Sequence, residues 1–336
     1  MKGFSDKFSD LPDYILKITR EIWEDRGLAT LHHYYGRDIP MRFPSGLVTG
    51  NAGVIDGTLA TLAEFPDRQL LGEDVIWSEG PEEGRYLSSH RLVTMGTHTG
   101  HGAFGAPTGR GFVIRAIADC AAKGDVIDDE WLIRDVGGIA RQLGHDPADY
   151  ARYQIETEGG PDACQRPFHP SHDVQGPYTG RGNDNEWGAR LTDILTRMMD
   201  KDFTVIRQEY DRAVRTEHWG ARGGWSYDFA ETDWMRLRSS FPTATFEIHH
   251  QIGRSDPGTP NRAAVRWSLT GTHSGHGYFG APTGAEVHVM GITHAEWGEW
   301  GLRREFTLID EVAIWKQIHL HTGDVTCRAA PLAEAG

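Results

Sequence analysis

The sequence predicts an α+β protein built as two tandem domains, and three observations carry that prediction. First, a fourteen-residue stretch occurs twice, as GTHTGHGAFGAPTG at 96–109 and GTHSGHGYFGAPTG at 271–284. Twelve of the fourteen positions are identical and the two copies start 175 residues apart. A repeat of that length is a domain rather than a solenoid unit. Second, helical periodicity comes first in each half and strand signals follow, which is the α+β order and not an alternating βαβ order. Third, 336 residues with 38% apolar content and 11 Trp are enough for two ordinary cores.

Taken in order, residues 11–26 place Leu11, Ile15, Ile18 and Ile22 on one helical stripe. Asp10 is a natural cap and Pro12 is tolerated in the first turn. A short helix is expected at 28–36 and another at 52–64, the latter stopped by Phe65-Pro66 because a residue before proline disfavours helix. Strands are expected at 69–78, 86–98, 111–120 and 126–135, separated by turn residues. Within 112–119, Phe112, Ile114, Ala116 and Ala118 alternate with Val113, Arg115, Ile117 and Asp119, so two distinct sheet faces are expected. A short amphipathic stretch closes the unit near 144. The Gly-, Pro-, Asp- and His-rich residues 146–187 then read as a linker between domains at 1–145 and 188–321, with a flexible tail at 322–336.

The second half answers the first. A helical stretch at 191–211 precedes strands at 244–253, 261–273 and 302–310. Arg91/Arg266, Glu130/Glu305, Asp135/Asp310, Ile139/Ile314 and Gln142/Gln317 all recur at a spacing of 175. Phe241-Pro242 answers Phe65-Pro66 at 176, and the same spacing aligns His218 with Arg42 and Trp219 with Phe43.

A net charge of −14 argues against a phosphate-binding surface, so no nucleic-acid partner is expected. Cys120, Cys164 and Cys327 form no close pair, which speaks against a disulfide framework or zinc-thiolate site. The N-terminal residues lack an apolar signal region and no run approaches membrane-spanning length, so no membrane partner and a cytoplasmic location are expected.

A strand ending in Gly-Thr-His-x-Gly, then Ala-Pro-Thr-Gly, a strand, Glu-x-x-x-x-Asp and a short Gln-Leu helix together resemble the SnoaL-like polyketide cyclase (ester cyclase) family of the nuclear-transport-factor-two-like superfamily. The resemblance covers about 10–144 and 188–320. It implies two cone-like domains, each a strongly curved antiparallel or mixed sheet wrapped around its N-terminal helices with a pocket in the mouth. It also implies an internal pseudo-dimer, a possible homo-oligomer, and an aspartate on the last strand acting as general acid/base. That aspartate corresponds to Asp135 and Asp310. Many relatives carry an aliphatic or acidic residue where His101 and His276 stand here.

On the residues themselves, Asp135 shares a strand face with Trp131 and Ile133, and Asp310 with Phe306 and Leu308. A carboxyl beside such groups in a cavity has a raised pKa suited to proton transfer near neutrality. The other reading of both aspartates is capping of the helix that follows. His98 and His273 end a strand and His101 and His276 lie in the loop after it. They are readable as shapers of a Gly-rich turn, as pocket acid/base groups, or as metal ligands short of a third partner, and no metal is assigned. The G-x-G-x-x-G within the loop is followed by a strand, not a helix, and is not a dinucleotide fingerprint. Arg91 and Arg266 are candidates for an acidic substrate group or for an ion pair with a carboxylate such as Glu130 or Glu305. Tyr35, His218 and Trp219 are among the residues expected to line the mouth.

Two functions follow. One is an enzyme working without a cofactor on a small, apolar carbonyl compound by cyclisation, isomerisation or hydrolysis. The other is a non-catalytic tandem module holding a small hydrophobic or aromatic ligand.

Overall fold

In the computed structural model, which describes residues 1–327, two six-stranded mixed sheets repeat one strand order. Helix α1, Leu11–Thr19, is capped by Asp10, whose carboxylate accepts the Asp13 N–H at 2.8 Å. The expected single helix does not run on to 26. It widens into a π-helical turn at Arg20–Glu24, where the Asp25 N–H reaches the Arg20 carbonyl at 2.9 Å. Arg26, in the left-handed region at φ 61°, ties that turn down by donating to the Pro66 and Arg68 carbonyls at 2.9 and 3.0 Å.

After α2 (Leu31–Tyr34) comes a hairpin the sequence did not announce, β1 (Pro40–Phe43) and β2 (Gly46–Thr49), short and flanked by prolines. Helix α3 (Asn51–Glu64) stops at Phe65-Pro66 as expected. Strands β3 (Gln69–Glu79), β4 (Arg85–Thr97), β5 (Gly111–Lys123) and β6 (Val126–Arg134) form an antiparallel meander. Strand β1 then adds to β6 in parallel, with Met41 opposite Glu130 and Arg42 opposite Trp131.

The stretch expected as a linker carries structure of its own. Helix α4 (Val136–Leu143) is followed by α5 (Pro147–Thr157), which packs on the far half of the chain. The second half then runs α6 (Glu186–Met199), α7 (Thr204–Glu209), β7 (Tyr210–His218), β8 (Arg222–Trp225) and α8 (Ser226–Ser240). It ends with β9 (Thr245–Arg254), β10 (Asn261–Thr272), β11 (Glu286–Gly298), β12 (Gly301–Ile309) and α9 (Glu311–Thr322). Lys316 of α9 pairs with Glu158 at 2.5 Å, and His319 Nε2 lies 3.0 Å from the Ala148 carbonyl, so the connecting segment clamps both halves. Most of the tail expected from 322 lies outside the described residues. Among the described residues, no helix is long and apolar enough to cross a membrane.

Strand register also corrects one alignment. Glu217 stands opposite Phe306 as Arg42 stands opposite Trp131, so the spacing at β7 is 175. The counterpart of Arg42 is therefore Glu217, and His218 answers Phe43.

Each sheet is covered on both faces. One face packs on its own helices. The other packs on the opposite sheet, with Ile117 and Ile133 against Met290, Ile292 and Leu308. Reciprocal stacking marks this contact: the Arg91 guanidinium lies 3.7 Å from the Phe306 ring centre and that of Arg266 lies 4.1 Å from Trp131. Arg91 also reaches Glu296 at 2.7 Å and Arg266 reaches Asp119 at 3.0 Å.

The helix-facing sides differ between the halves. In the second, Trp219, Trp234 and Trp267 are fully buried. Gly291 lies directly under the Trp267 indole, and a β-carbon there would run into the ring. The first half has Leu92 and Ala116 at the two matching positions and leaves space. Gly291→Ala should therefore cost about 1–3 kcal/mol by overpacking. Urea unfolding checks this, and an unchanged midpoint would mean the indole is not held against the strand.

Candidate functional site

The space left in the first half is a cavity of about 50 Å³ between α1, the π-helical turn and the inner face of the first sheet. That is room for a few waters or a ligand of a few heavy atoms. Small residues on β5, Ala116, Ala118 and Cys120, leave it open, and Ile15, Ile18, Leu70 and Leu92 make its walls apolar. Alternation along β6 sends Glu130, Leu132 and Arg134 into it. His90 enters from β4, Arg68 from the turn before β3, Tyr35 from the end of α2, and Trp23 from the π-helical turn.

The polar groups here are poorly satisfied, which is unusual for a protein interior. Glu130 is 3% exposed and its Oε2 has no hydrogen-bond partner. Burial pushes its carboxyl up to about 7, against the pull of the Tyr35 hydroxyl and the Arg134 charge. His90 Nε2 also lacks a partner, and burial with the neighbouring Arg91 charge lowers this imidazole to about 4, so it is neutral. Burial and the charge of Glu130 raise the Tyr35 phenol well above its ordinary value, so it remains a donor. Arg68 donates from Nε to Thr94 at 3.2 Å. Burial and the like charges of Arg134 and Arg26 bring it down to about 9. Arg134 is likewise lowered by burial and rests 5.5 Å from the Phe43 ring. Among the described residues, neither arginine forms an ion pair.

The matching place in the second half is closed and neutralised. Glu305, the counterpart of Glu130, accepts from the Tyr210 hydroxyl at 2.5 Å, Trp234 Nε1 at 3.0 Å and the Thr307 hydroxyl at 2.7 Å. His218 Nε2 lies 2.9 Å from it, and His218 Nδ1 lies 2.8 Å from Asp233. Burial opposes a charge on His218, but Glu305 and Asp233 outweigh it and hold the imidazole up to about 9. The result is a buried ion network with Trp219 stacked on the imidazole at 5.3 Å. Strand pairing places Val265 where the first half has His90 and Ile309 where it has Arg134. Ala244, three residues after Phe241 as Arg68 is after Phe65, replaces that arginine.

The structure places the residues expected from sequence as follows. Trp131, Ile133 and Asp135 do share a face, and so do Phe306, Leu308 and Asp310, but both faces look toward the opposite sheet. The cavity lies one residue out of phase, on the side of Glu130. Asp135 caps α4 and holds the β7–β8 turn of the other half. Its carboxylate accepts from Gly138 at 2.9 Å, Gly220 at 2.6 Å and Ala221 at 2.7 Å. Burial raises it to about 6 despite these donors. Asp310 caps α9, accepting from Val312 at 2.9 Å and Ala313 at 3.3 Å, and burial raises it to about 7.

His98 and His273 are buried and fasten the repeated loop. Their Nδ1 atoms lie 3.2 and 3.0 Å from the hydroxyls of Thr108 and Thr283. His98 Nε2 is 3.3 Å from Glu64 Oε1. Burial lowers both imidazoles, so both are neutral near pH 7. His101 and His276 are exposed on the same loops. Among the described residues, no group of three His, Cys, Asp or Glu is placed to hold a metal. Arg91 and Arg266 join the two sheets through Glu296 and Asp119, rather than through Glu130 or Glu305. Of the expected set, Tyr35 alone lines the cavity. His218 and Trp219 fill the equivalent space in the second half.

A larger cleft of about 210 Å³ lies between the halves, bordered by Arg115, Asp135, Arg215, Glu217 and Arg222. Its arginines are already matched: Arg115 with Glu73 and Glu217, Arg222 with Asp233 at 3.6 Å. The smaller cavity is the better candidate because its charged groups are not.

No family model matches the chain, and no curated protein does. Solved structures similar to it include IdmH of Streptomyces antibioticus, a candidate polyketide cyclase. It is 23% identical with a TM-score of 0.35, over 40% of this chain and 97% of that one. A candidate SnoaL-like polyketide cyclase from Jannaschia sp. is 15% identical with a TM-score of 0.34, over 40% of this chain and 96% of that one. AclR of Streptomyces galilaeus, a candidate hydroxylase, is 17% identical with a TM-score of 0.34, over 44% and 85%.

Asp135→Asn should destabilise the fold by about 1–3 kcal/mol, because an amide must turn its NH₂ toward a backbone N–H that now has an acceptor. Denaturant unfolding reads the loss. If the variant keeps its midpoint, the three-donor clamp is not stabilising.

Proposed function

We propose that the first-half cavity is the working site, and that the protein is an acid/base catalyst acting on a small carbonyl compound with Glu130 as the proton-transfer group. The observation that carries this reading is the free oxygen of Glu130, a carboxyl that titrates near 7 in an apolar chamber. General bases work best when their pKa lies near the operating pH. A proton taken from the carbon next to a carbonyl leaves negative charge on the carbonyl oxygen. Arg68, Arg134 and the neutral imidazole of His90 surround the space where that oxygen would lie. The Tyr35 hydroxyl beside Glu130 orients the carboxylate and stays protonated throughout. Isomerisation and ring closure through an enolate both follow from this one step. The second half, with its cone-side space filled, serves as the partner that buries the back of the first sheet.

Two outcomes are expected. Solvent deuterium should wash into 2-oxobutanoate at C3 in the presence of the protein, followed by proton NMR. The rate should rise with pH through about 7 and fall by about 100- to 10,000-fold in Glu130→Gln. If the variant exchanges as fast as the wild type, the carboxyl is not the base. If the probe binds without exchange, the non-catalytic module is the right reading.

Stability moves the opposite way. The folded pKa of Glu130 lies above its unfolded value, so its contribution is full below about 4.5 and is lost as pH rises through about 7. Glu130→Gln should therefore melt higher than the wild type at pH 8 and show little gain at pH 4. An equal shift at both pH values would mean that ionisation of this residue is not the cause.

A further inference from the structure

We infer that the first-half cavity is built for a short-chain carboxylate, its carboxylate group held between Arg68 and Arg134 and its hydrocarbon portion lying on the apolar wall. This deepens the proposed function by naming the substrate class, a small oxo acid, and rests on the same cavity.

Four observations lead there. Arg68 is 5% exposed and Arg134 is half-buried, yet among the described residues neither is within ion-pair distance of a carboxylate, Glu130 acting on Arg134 only through space. A buried guanidinium is ordinarily paired, because an uncompensated charge in the interior is strongly unfavourable. Elsewhere in this protein the pattern holds: buried Arg42 meets Asp129, buried Arg266 meets Asp119, and buried Arg91 meets Glu296. Second, Arg68 and Arg134 line the same cavity and their like charges act on each other there, so an anion bound between them would relieve both. The planar fork of arginine suits a carboxylate.

Third, the second half has Ala244 and Ile309 where the first has these arginines, and three buried tryptophans where the first has the cavity. The same fold therefore stands without either arginine, which ties them to a ligand rather than to the fold. Fourth, Arg26 spans the π-helical turn and the carbonyl of Arg68, so the element roofing the cavity also anchors one of the two arginines. The wall of Ile15, Ile18, Leu70 and Leu92 favours a carboxylate bearing a carbon chain over a compact dianion such as phosphate.

Butanoate, 2-oxobutanoate, butanamide and inorganic phosphate are the probes, titrated calorimetrically into the full chain. The two carboxylates should bind, butanamide at least about tenfold more weakly, and phosphate more weakly than butanoate. Arg68→Met and Arg134→Met should each weaken butanoate about tenfold or more and leave butanamide unchanged. Unchanged butanamide affinity in each variant shows that the cavity is still formed, so loss of folding does not explain loss of butanoate binding. Equal affinity for butanamide and butanoate overturns the assignment, as does tighter binding of phosphate, unchanged butanoate affinity in both variants, or no binding of either carboxylate. Glu130→Gln separates this from the proposed chemistry. It should bind butanoate more tightly than the wild type does above pH 7, because a negative charge beside the ligand is removed, while proton exchange is lost. Carboxylate binding with no proton exchange in the wild type defeats the catalytic reading alone, and exchange in a wild type that binds butanamide as tightly as butanoate defeats this inference alone.

Discussion

Two-residue alternation in a sheet covered on both sides is the constraint on which the rest depends. The central residues of β4, β5 and β6 face either the helices of their own half or the opposite sheet. That division allots Glu130, Leu132 and Arg134 to the cavity and Trp131, Ile133 and Asp135 to the contact between halves. A shift of one residue would exchange the two sets completely. The register is held against such a shift by the reciprocal arginine–aromatic stacks and by the grip of Asp135 on the Gly220–Ala221 turn, all of which exist on one face only.

Within that shared frame the two halves have taken opposite solutions to one problem. Both keep a glutamate on the last strand with a tyrosine near it, Glu130 with Tyr35 and Glu305 with Tyr210. An ionised carboxylate in the interior must be compensated or neutralised. The second half compensates: His218, Tyr210, Trp234 and Thr307 surround Glu305, and three tryptophans occupy the remaining volume. The first half compensates its carboxyl only in part, through Tyr35 and Arg134, and burial raises its titration point. A fold that doubles its domain can keep one copy as a well-satisfied partner while the other carries unsatisfied groups.

Much of the architecture was legible in the sequence. The duplicated loop, the Phe-Pro helix stops and the strand spacings located most elements within a few residues, because glycine, proline and chain direction mark them locally. The β1–β2 hairpin was not visible, since four-residue strands beside prolines carry little periodic signal. Which face of β6 lines a cavity was not visible either. Strands buried on both sides show no polar–apolar alternation to set the phase, and Asp135 next to a helix start reads equally well as a cap or an acid. The signal that could have found the site lies in the differences between the halves, not in their identities. Arg68 against Ala244, His90 against Val265 and Arg134 against Ile309 are three polar-to-apolar changes on one surface. The strongly repeated residues, His98 and Asp135 among them, repeat because both halves need the same loop and the same cap.

The same comparison bears on why the unsatisfied groups persist. A glutamate and two arginines lining one cavity could have paired with one another and closed the space, as Arg42 and Asp129 do a few residues away. Glu130 and Arg134 lie four residues apart on one strand face, a separation of about 13 Å between backbones, so they act on each other through space without forming an ion pair, and Arg68 donates instead to Thr94. Strand geometry thus leaves the neutralisation incomplete, and all three groups line the cavity. Native proteins tolerate such uncompensated sites where a ligand completes them. The separation along β6, rather than any single residue, is what leaves these groups facing the cavity without closing it.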